Sequence, residues 1–318
     1  MEEKYTKQQV KERALVILFG VFLFLLFAYL SGNFRWMKDS QLVIDLFACM
    51  FAFFIGVLAL VRFYTKKTYI NYLLLGLGFI TVALLDGYHV LSNIQAFSSL
   101  FGADTSGMFP GSMVLSRVFL SLIFFLSWFL MREENKVKKI KERVAFGSLL
   151  IAISLFIVAI SIFTNIFSGL ESYTFAIVMQ TIALMIYILT LLGYVRERGI
   201  FKRDFDFWLI FSITFGILTQ LFFLPYLNIE YELMLNLSTL AKFVSYFVLL
   251  VGFLYSIYEM YKREERVQKE LKRKNVLLAM TKSKVEEAYM ILRAEKWELS
   301  KEQKKKSTDK IFKDILKK

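Results

Sequence analysis

The segment NYLLLGLGFITVALLDGYHVLSN (71–93), followed beyond a glycine-rich connection by MFPGSMVLSRVFLSL (108–122), holds the residues that decide how this chain is read. The first segment is nearly as apolar as a bilayer interior, and it is about the roughly 20 residues a helix needs to cross one. Yet Asp86, His89 and Arg117 sit within the two segments, and His89 is the one histidine of the chain. An ionisable side chain at that depth costs roughly 2.5–3.5 kcal/mol on insertion scales and normally faces a bundle interior or a wet cavity, so it marks a candidate site.

Outward from that segment, the composition agrees with a membrane setting. Hydrophobic residues make up 57% of the chain, mean hydropathy is +0.53, and 34 Phe with 16 Tyr exceed what a soluble globular protein carries. Eight apolar runs, near 14–31, 42–62, 69–91, 113–131, 144–167, 173–195, 207–226 and 234–261, predict an all-α polytopic bundle of about eight transmembrane helices. The first run is too long for a signal-peptide core and no small-x-small cleavage site follows it, which predicts a retained helix. Pro225, in FFLPY, is expected to end the seventh run, because proline lacks the N–H a helix interior uses.

Lys and Arg alternate between the connections. Arg62, Lys66 and Lys67, then Arg132 to Arg143, then Arg196 to Arg203 and the C-terminal tail fall on one side with Lys4 to Arg13, whereas the other side has Arg35 and Lys38. By the positive-inside rule this predicts a multi-pass protein of the plasma membrane with both termini in the cytoplasm. The connection 92–112 has no Lys or Arg but holds Gly102, Gly107, Gly111 and Pro110, and reads as either a lid over an outward-facing pocket or a plain connector.

Depth then groups the polar residues. Asp45, Asp86, His89, Asn93, Arg117, Gln180, Gln220, Asn236 and Lys242 all fall in the outer parts of their spans, and form the expected ligand-binding set. The inner halves are expected to be nearly free of such groups. Asp86 and His89 are three apart and share a helix face. An Asp86–Arg117 pair that also touches His89 would satisfy all three charges. Two readings stay open: a site for a small molecule, ion or proton, or a fixed polar clamp between helices.

After Tyr261 the sequence turns charged, with 19 Lys+Arg and 10 Asp+Glu over 262–318, so the tail supplies most of the net charge of +13. This divides the chain into a transmembrane domain, 1–261, and a basic cytoplasmic helix, 262–318. Leu271, Leu278, Val285, Leu292 and Leu299 recur every seven residues, the spacing of a left-handed coiled-coil seam, and predict a homodimer. Asn275, Lys282, Tyr289 and Lys296 make the companion positions polar, so an amphipathic helix lying on the bilayer is the competing reading.

Several classes are disfavoured. Cys49 is the single cysteine, which excludes an intrachain disulfide and a multi-cysteine metal cluster, and one histidine cannot complete a bis-histidine haem or a three-histidine zinc site within one chain. No metal site is expected, and no cofactor is assigned. Ser92 and Ser116 lie near His89 and Arg117 without a nucleophile motif, and GLGF (76–79) sits in an apolar span where small residues permit close helix packing, so no enzyme is expected. The basic tail lacks any nucleic-acid motif and suits the anionic cytoplasmic leaflet, so the bilayer is the expected partner and nucleic acid is not.

The leucine-rich span ending in Leu-Asp-x-x-His, the Phe109-Pro110 pair and the early Arg117 together resemble the third class of bacterial and archaeal membrane-associated sensor (MASE) domains over about 14–261. That resemblance highlights Asp86, His89, Phe109, Pro110 and Arg117. The family tends to carry Gly-His-Leu-x-Lys in its last span, where this chain has Ser238-Thr239-Leu240-Ala241-Lys242. It also tends to precede a histidine kinase, a sensor module or a diguanylate cyclase, so the resemblance implies a cytoplasmic signalling partner of kinase or cyclase type. The resulting expectation is a membrane-embedded sensor that passes a signal to its cytoplasmic helix. The alternatives are a small transporter or channel, or a haem or metal membrane protein.

Overall fold

The computed structural model describes residues 7–31, 38–66, 70–92, 109–133, 172–198, 204–229 and 232–315. They form seven helices: α1 Lys7–Leu30, α2 Lys38–Lys66, α3 Ile70–Ser92, α4 Phe109–Glu133, α5 Ser172–Arg198, α6 Asp204–Ile229 and α7 Glu232–Ile315. These fall on seven of the eight expected apolar runs. Six are long and apolar enough to cross a membrane, and the apolar part of α4, Met113–Phe129, is shorter. The remaining expected run, 144–167, lies outside the described residues, as do Asn93 and the connection that follows it. The chain divides into two compact units, Met1–Ile257 and Tyr258–Lys318.

Within the first unit the helices take a definite order. α2 packs on α3, α3 on α4, α4 on α5 and α5 on α6, while α1 touches α6. The first part of α7 completes the circuit: Ser245 bonds Ser212 of α6 at 3.0 Å, and Phe51 of α2 meets Phe243 at 5.2 Å between ring centroids. Each helix shows why it sits so. On α5, Ala183, Tyr187, Thr190 and Tyr194 form a buried stripe, while Val178, Ile182, Met185, Leu189 and Leu192 form an exposed one. Exposed apolar stripes of this length suit hydrocarbon and not water.

Close approach comes from small residues. A Cβ on Gly56 would meet the carbonyl oxygen of Gly76 at 2.9 Å, so α2 and α3 touch backbone to backbone, as the GLGF segment suggested. Phe79, Phe124 and Tyr246 fill the interior with edge-to-face contacts of 5.7 Å. In lipid, such packing takes over the role that burial from water has in soluble proteins.

Pro225 departs from expectation. It lies inside α6, which continues to Ile229. The carbonyl of Leu221 loses its usual N–H partner there, a defect membrane helices tolerate where neighbours pack around it.

The second unit is a solvated helix. Glu265 pairs with Lys269 at 2.7 Å and Lys282 with Glu286 at 3.9 Å, each one turn apart. The hydrogen bond from Lys269 holds the Glu265 carboxyl below its ordinary pKa. Lys301 stands 3.4 Å over the Trp297 ring. Leu271, Leu278, Val285, Leu292 and Leu299 are all exposed in the single chain.

Candidate functional site

The site is built on Lys242. Its Nζ lies 2.7 Å from Asp45 Oδ1 and 3.6 Å from Asp86 Oδ2, so one ammonium on α7 joins a carboxylate on α2 to another on α3. One turn further along α7, the Tyr246 hydroxyl donates to Asp86 Oδ2 at 3.4 Å. All four residues are buried, at 5% exposure or less. Two acids with one cation in so dry a place persist only with such mutual pairing, since an unpaired buried charge is far costlier.

Local sequence brings α2 and α3 together here. One turn beyond Asp45, the Cys49 thiol donates to the Ala83 carbonyl at 3.1 Å, and a Cβ on Gly87, beside Asp86, would meet that sulfur at 3.3 Å. Alanine and glycine leave the gap into which Cys49 fits. His89 is buried within electrostatic range of Asp45, Lys242, Asp86 and Arg117.

Arg117 is turned toward a different helix. Its guanidinium stands 3.8 Å over the ring of Phe223 on α6, and its Nη1 and Nη2 have no hydrogen-bond partner among the described residues. The expected Asp86–Arg117 pair is thus replaced by Asp86–Lys242. The cause is lateral: α7 lies against α2 and α3 at the depth of the two carboxylates, whereas Arg117 is turned onto α6. Arg117 still lies within electrostatic range of Asp45, Asp86, Tyr187 and Tyr246.

Of the remaining expected site residues, Gln180 and Gln220 are fully buried; both amide atoms of Gln180 and Oε1 of Gln220 lack a partner among the described residues. Asn236 is half-buried near the start of α7, and Asn93 lies outside the described residues. The sequence reading missed Tyr246, Tyr187 and Thr239 as members of the buried polar set. The spacing of four between Lys242 and Tyr246 was the signal available for the first.

It also missed a second polar group. Arg62 donates to Ser256 and stands 4.3 Å over Tyr72 and 5.2 Å over Phe205, with Asn71 and Asp206 buried nearby in sequence. Arg62 is about 25 Å along α2 from Asp45, at 1.5 Å per residue. The expectation that the inner halves are nearly free of polar groups is therefore corrected. Residues at span margins pass for flanking charges in sequence, yet here they tie α2 to α7.

Among the described residues, no group of three or more His, Cys, Asp or Glu converges as a metal would require. Lys242 already supplies a cation to the two carboxylates.

A bundle of apolar helices around a buried charge cluster defines a multi-pass membrane protein. Residues 40–259 match the MASE3 family, described as a membrane-associated sensor domain, and the chain belongs to that family. The matched stretch contains every residue of the charge cluster and leaves α1 outside. No curated protein and no solved structure matches the chain.

Proposed function

We propose that the chain is a membrane-embedded, non-enzymatic receptor. Its polar pocket around Asp45, Asp86, His89, Arg117 and Lys242 receives a small-molecule or ion cue, and α7 carries the response to the helix after residue 261. The observation that supports this most is the double ion pair of Lys242 with Asp45 and Asp86. It fastens α7 to α2 and α3, and the same helix bears the heptad row Leu271 to Leu299. A cue that competes with Lys242 for either carboxylate, or with Tyr246 for Asp86, binds one arrangement of α7 better than another and so shifts the balance between them.

In this reading the Lys and Arg distribution puts both termini in the cytoplasm at the plasma membrane. The tail pairs with a second copy through its heptad row and acts on a kinase- or cyclase-type partner. Replacing Leu278, Val285 and Leu292 with Ser tests the output: self-association of the full chain in lipid nanodiscs should be lost, and unchanged association removes the dimer from the proposal.

A transporter or channel is the second reading, favoured by the buried Asn71 and Asp206 and by Arg62 at the far end of the spans. Solute or proton flux in proteoliposomes that stops in Asp86→Asn would put it first.

A further inference from the structure

Four helices end an apolar layer and begin a polar one at the same level. Met113 of α4, Ala176 of α5, Phe223 of α6 and Leu235 of α7 form one buried apolar cluster. One turn along each helix, on the same face, stand Arg117, Gln180, Gln220 and Thr239, at offsets of +4, +4, −3 and +4. α6 runs opposite to the other three: Ser238 of α7 donates to the Thr219 carbonyl at 2.9 Å while Ser245 pairs with Ser212 at 3.0 Å. Ala176 and Tyr187 of α5 meet Phe223 and Gly216 in reverse order. α4 runs with α5, as Met113, Phe124 and Ser127 match Ala176, Tyr187 and Tyr194. All four offsets therefore point the same way, away from the apolar cluster and into the bundle. The four side chains are 3%, 0%, 1% and 0% exposed.

Their polar atoms are unpartnered among the described residues: Nη1 and Nη2 of Arg117, Nε2 and Oε1 of Gln180, Oε1 of Gln220 and Oγ1 of Thr239. Buried polar atoms in native proteins are rarely left so, and one such group costs about 1–3 kcal/mol. Four helices here each bring such a group one turn from the same apolar cluster. Their chemistry can be read from the inventory. The guanidinium, 3.8 Å over the Phe223 ring centroid, has two unpartnered nitrogens, and a guanidinium's paired donors fit a carboxylate. The Gln180 and Gln220 oxygens are acceptors only, which a bare carboxylate cannot satisfy. A ligand carrying a hydrogen-bond donor next to its carboxylate satisfies both sets, with its short carbon skeleton against Met113, Ala176 and Leu235.

We propose that this layer is a subsite for a small 2-hydroxy or 2-amino carboxylate. The inference rests on the sensor reading above and names the ligand class. Four probes of one size separate its parts: L-lactate and L-alanine carry carboxylate and donor, propionate lacks the donor, and lactamide lacks the charge. Binding is read by calorimetry on the full chain in lipid nanodiscs. Lactate or alanine should bind, whichever of hydroxyl or ammonium the site takes, with propionate roughly tenfold or more weaker and lactamide not bound. Arg117→Gln should abolish binding. Thr239→Val and Gln220→Leu, which keep shape and suit an apolar bundle, should each weaken it roughly tenfold. No binding by any probe at millimolar concentration overturns the proposal, as does equal binding of propionate and lactate, or affinity unchanged in Thr239→Val and Gln220→Leu. Should the probes fail while Asp86→Asn still alters tail self-association, this subsite falls and the sensor reading stands.

Discussion

Replacing Lys242 with Met keeps most of the side-chain volume and removes the charge that Asp45 and Asp86 share. At an effective dielectric near 20, a unit pair at 2.7 Å is worth about 6 kcal/mol, and one at 3.6 Å about 5 kcal/mol, before the cost of desolvation is counted. Desolvation takes back much of this, and measured losses on removing one member of a buried pair are about 3–5 kcal/mol. With roughly 2–4 °C of melting temperature per kcal/mol for a domain of this size, the expected drop is on the order of 10 °C. The single Cys49, half-buried beside Ala83, supplies the assay: a thiol-reactive fluorophore reports its exposure on heating in detergent. Adding Asp45→Asn and Asp86→Asn to Lys242→Met should recover at least half of the loss, because the stranded charges go with the cation. A single variant that melts with the unmodified protein, or a triple variant no better than the single, would refute the ion-pair account.

Other expectations follow from particular contacts. Tyr246→Phe removes the hydroxyl donated to Asp86 and should cost about 1.5–3 kcal/mol, the range for a bond to a charged group, read by the same melting assay. Gly252→Ala should destabilise by about 1–3 kcal/mol, since the new Cβ would lie 2.3 Å from Cβ of Trp208, which cannot swing aside, and α6 must part from α7. Arg62→Gln should weaken the hold on Ser256 and the stacking on Tyr72 and Phe205, seen as faster amide exchange around residue 256 with the Asp45 end unaffected. Above about 1 M salt, the exposed Glu265–Lys269 pair should contribute nothing measurable to tail helicity by circular dichroism.

Hydropathy exposes depth and hides direction around the bundle, and the sequence reading succeeded and failed along that line. Asp45, Asp86, Gln180, Gln220 and Lys242 were legible as polar residues inside apolar spans, and all five are buried. That Asp86 meets Lys242 and not Arg117 was not legible, because α7 returns beside α2 and α3 and nothing in span order says so. Thr239 carries no charge and reads in sequence as a departure from a family pattern; that it is fully buried, one turn beyond Leu235 of the apolar cluster, only the structure shows. Arg62 resembled an ordinary flanking charge, and only its reach to Ser256 and Tyr72 shows it inside the bundle. The heptad row was plain from a spacing of seven, and its five residues are exposed in the single chain.

The central claim is that the charge around Lys242 governs the tail. It is tested most directly by the disulfide cross-linking rate between two copies bearing Leu278→Cys in a Cys49→Ala background, in lipid nanodiscs, with Asp86 intact and with Asp86→Asn. The account predicts that cross-links form and that their rate changes when the Asp86 carboxylate is neutralised. Cross-linking at the same rate in both, or none in either, would contradict it.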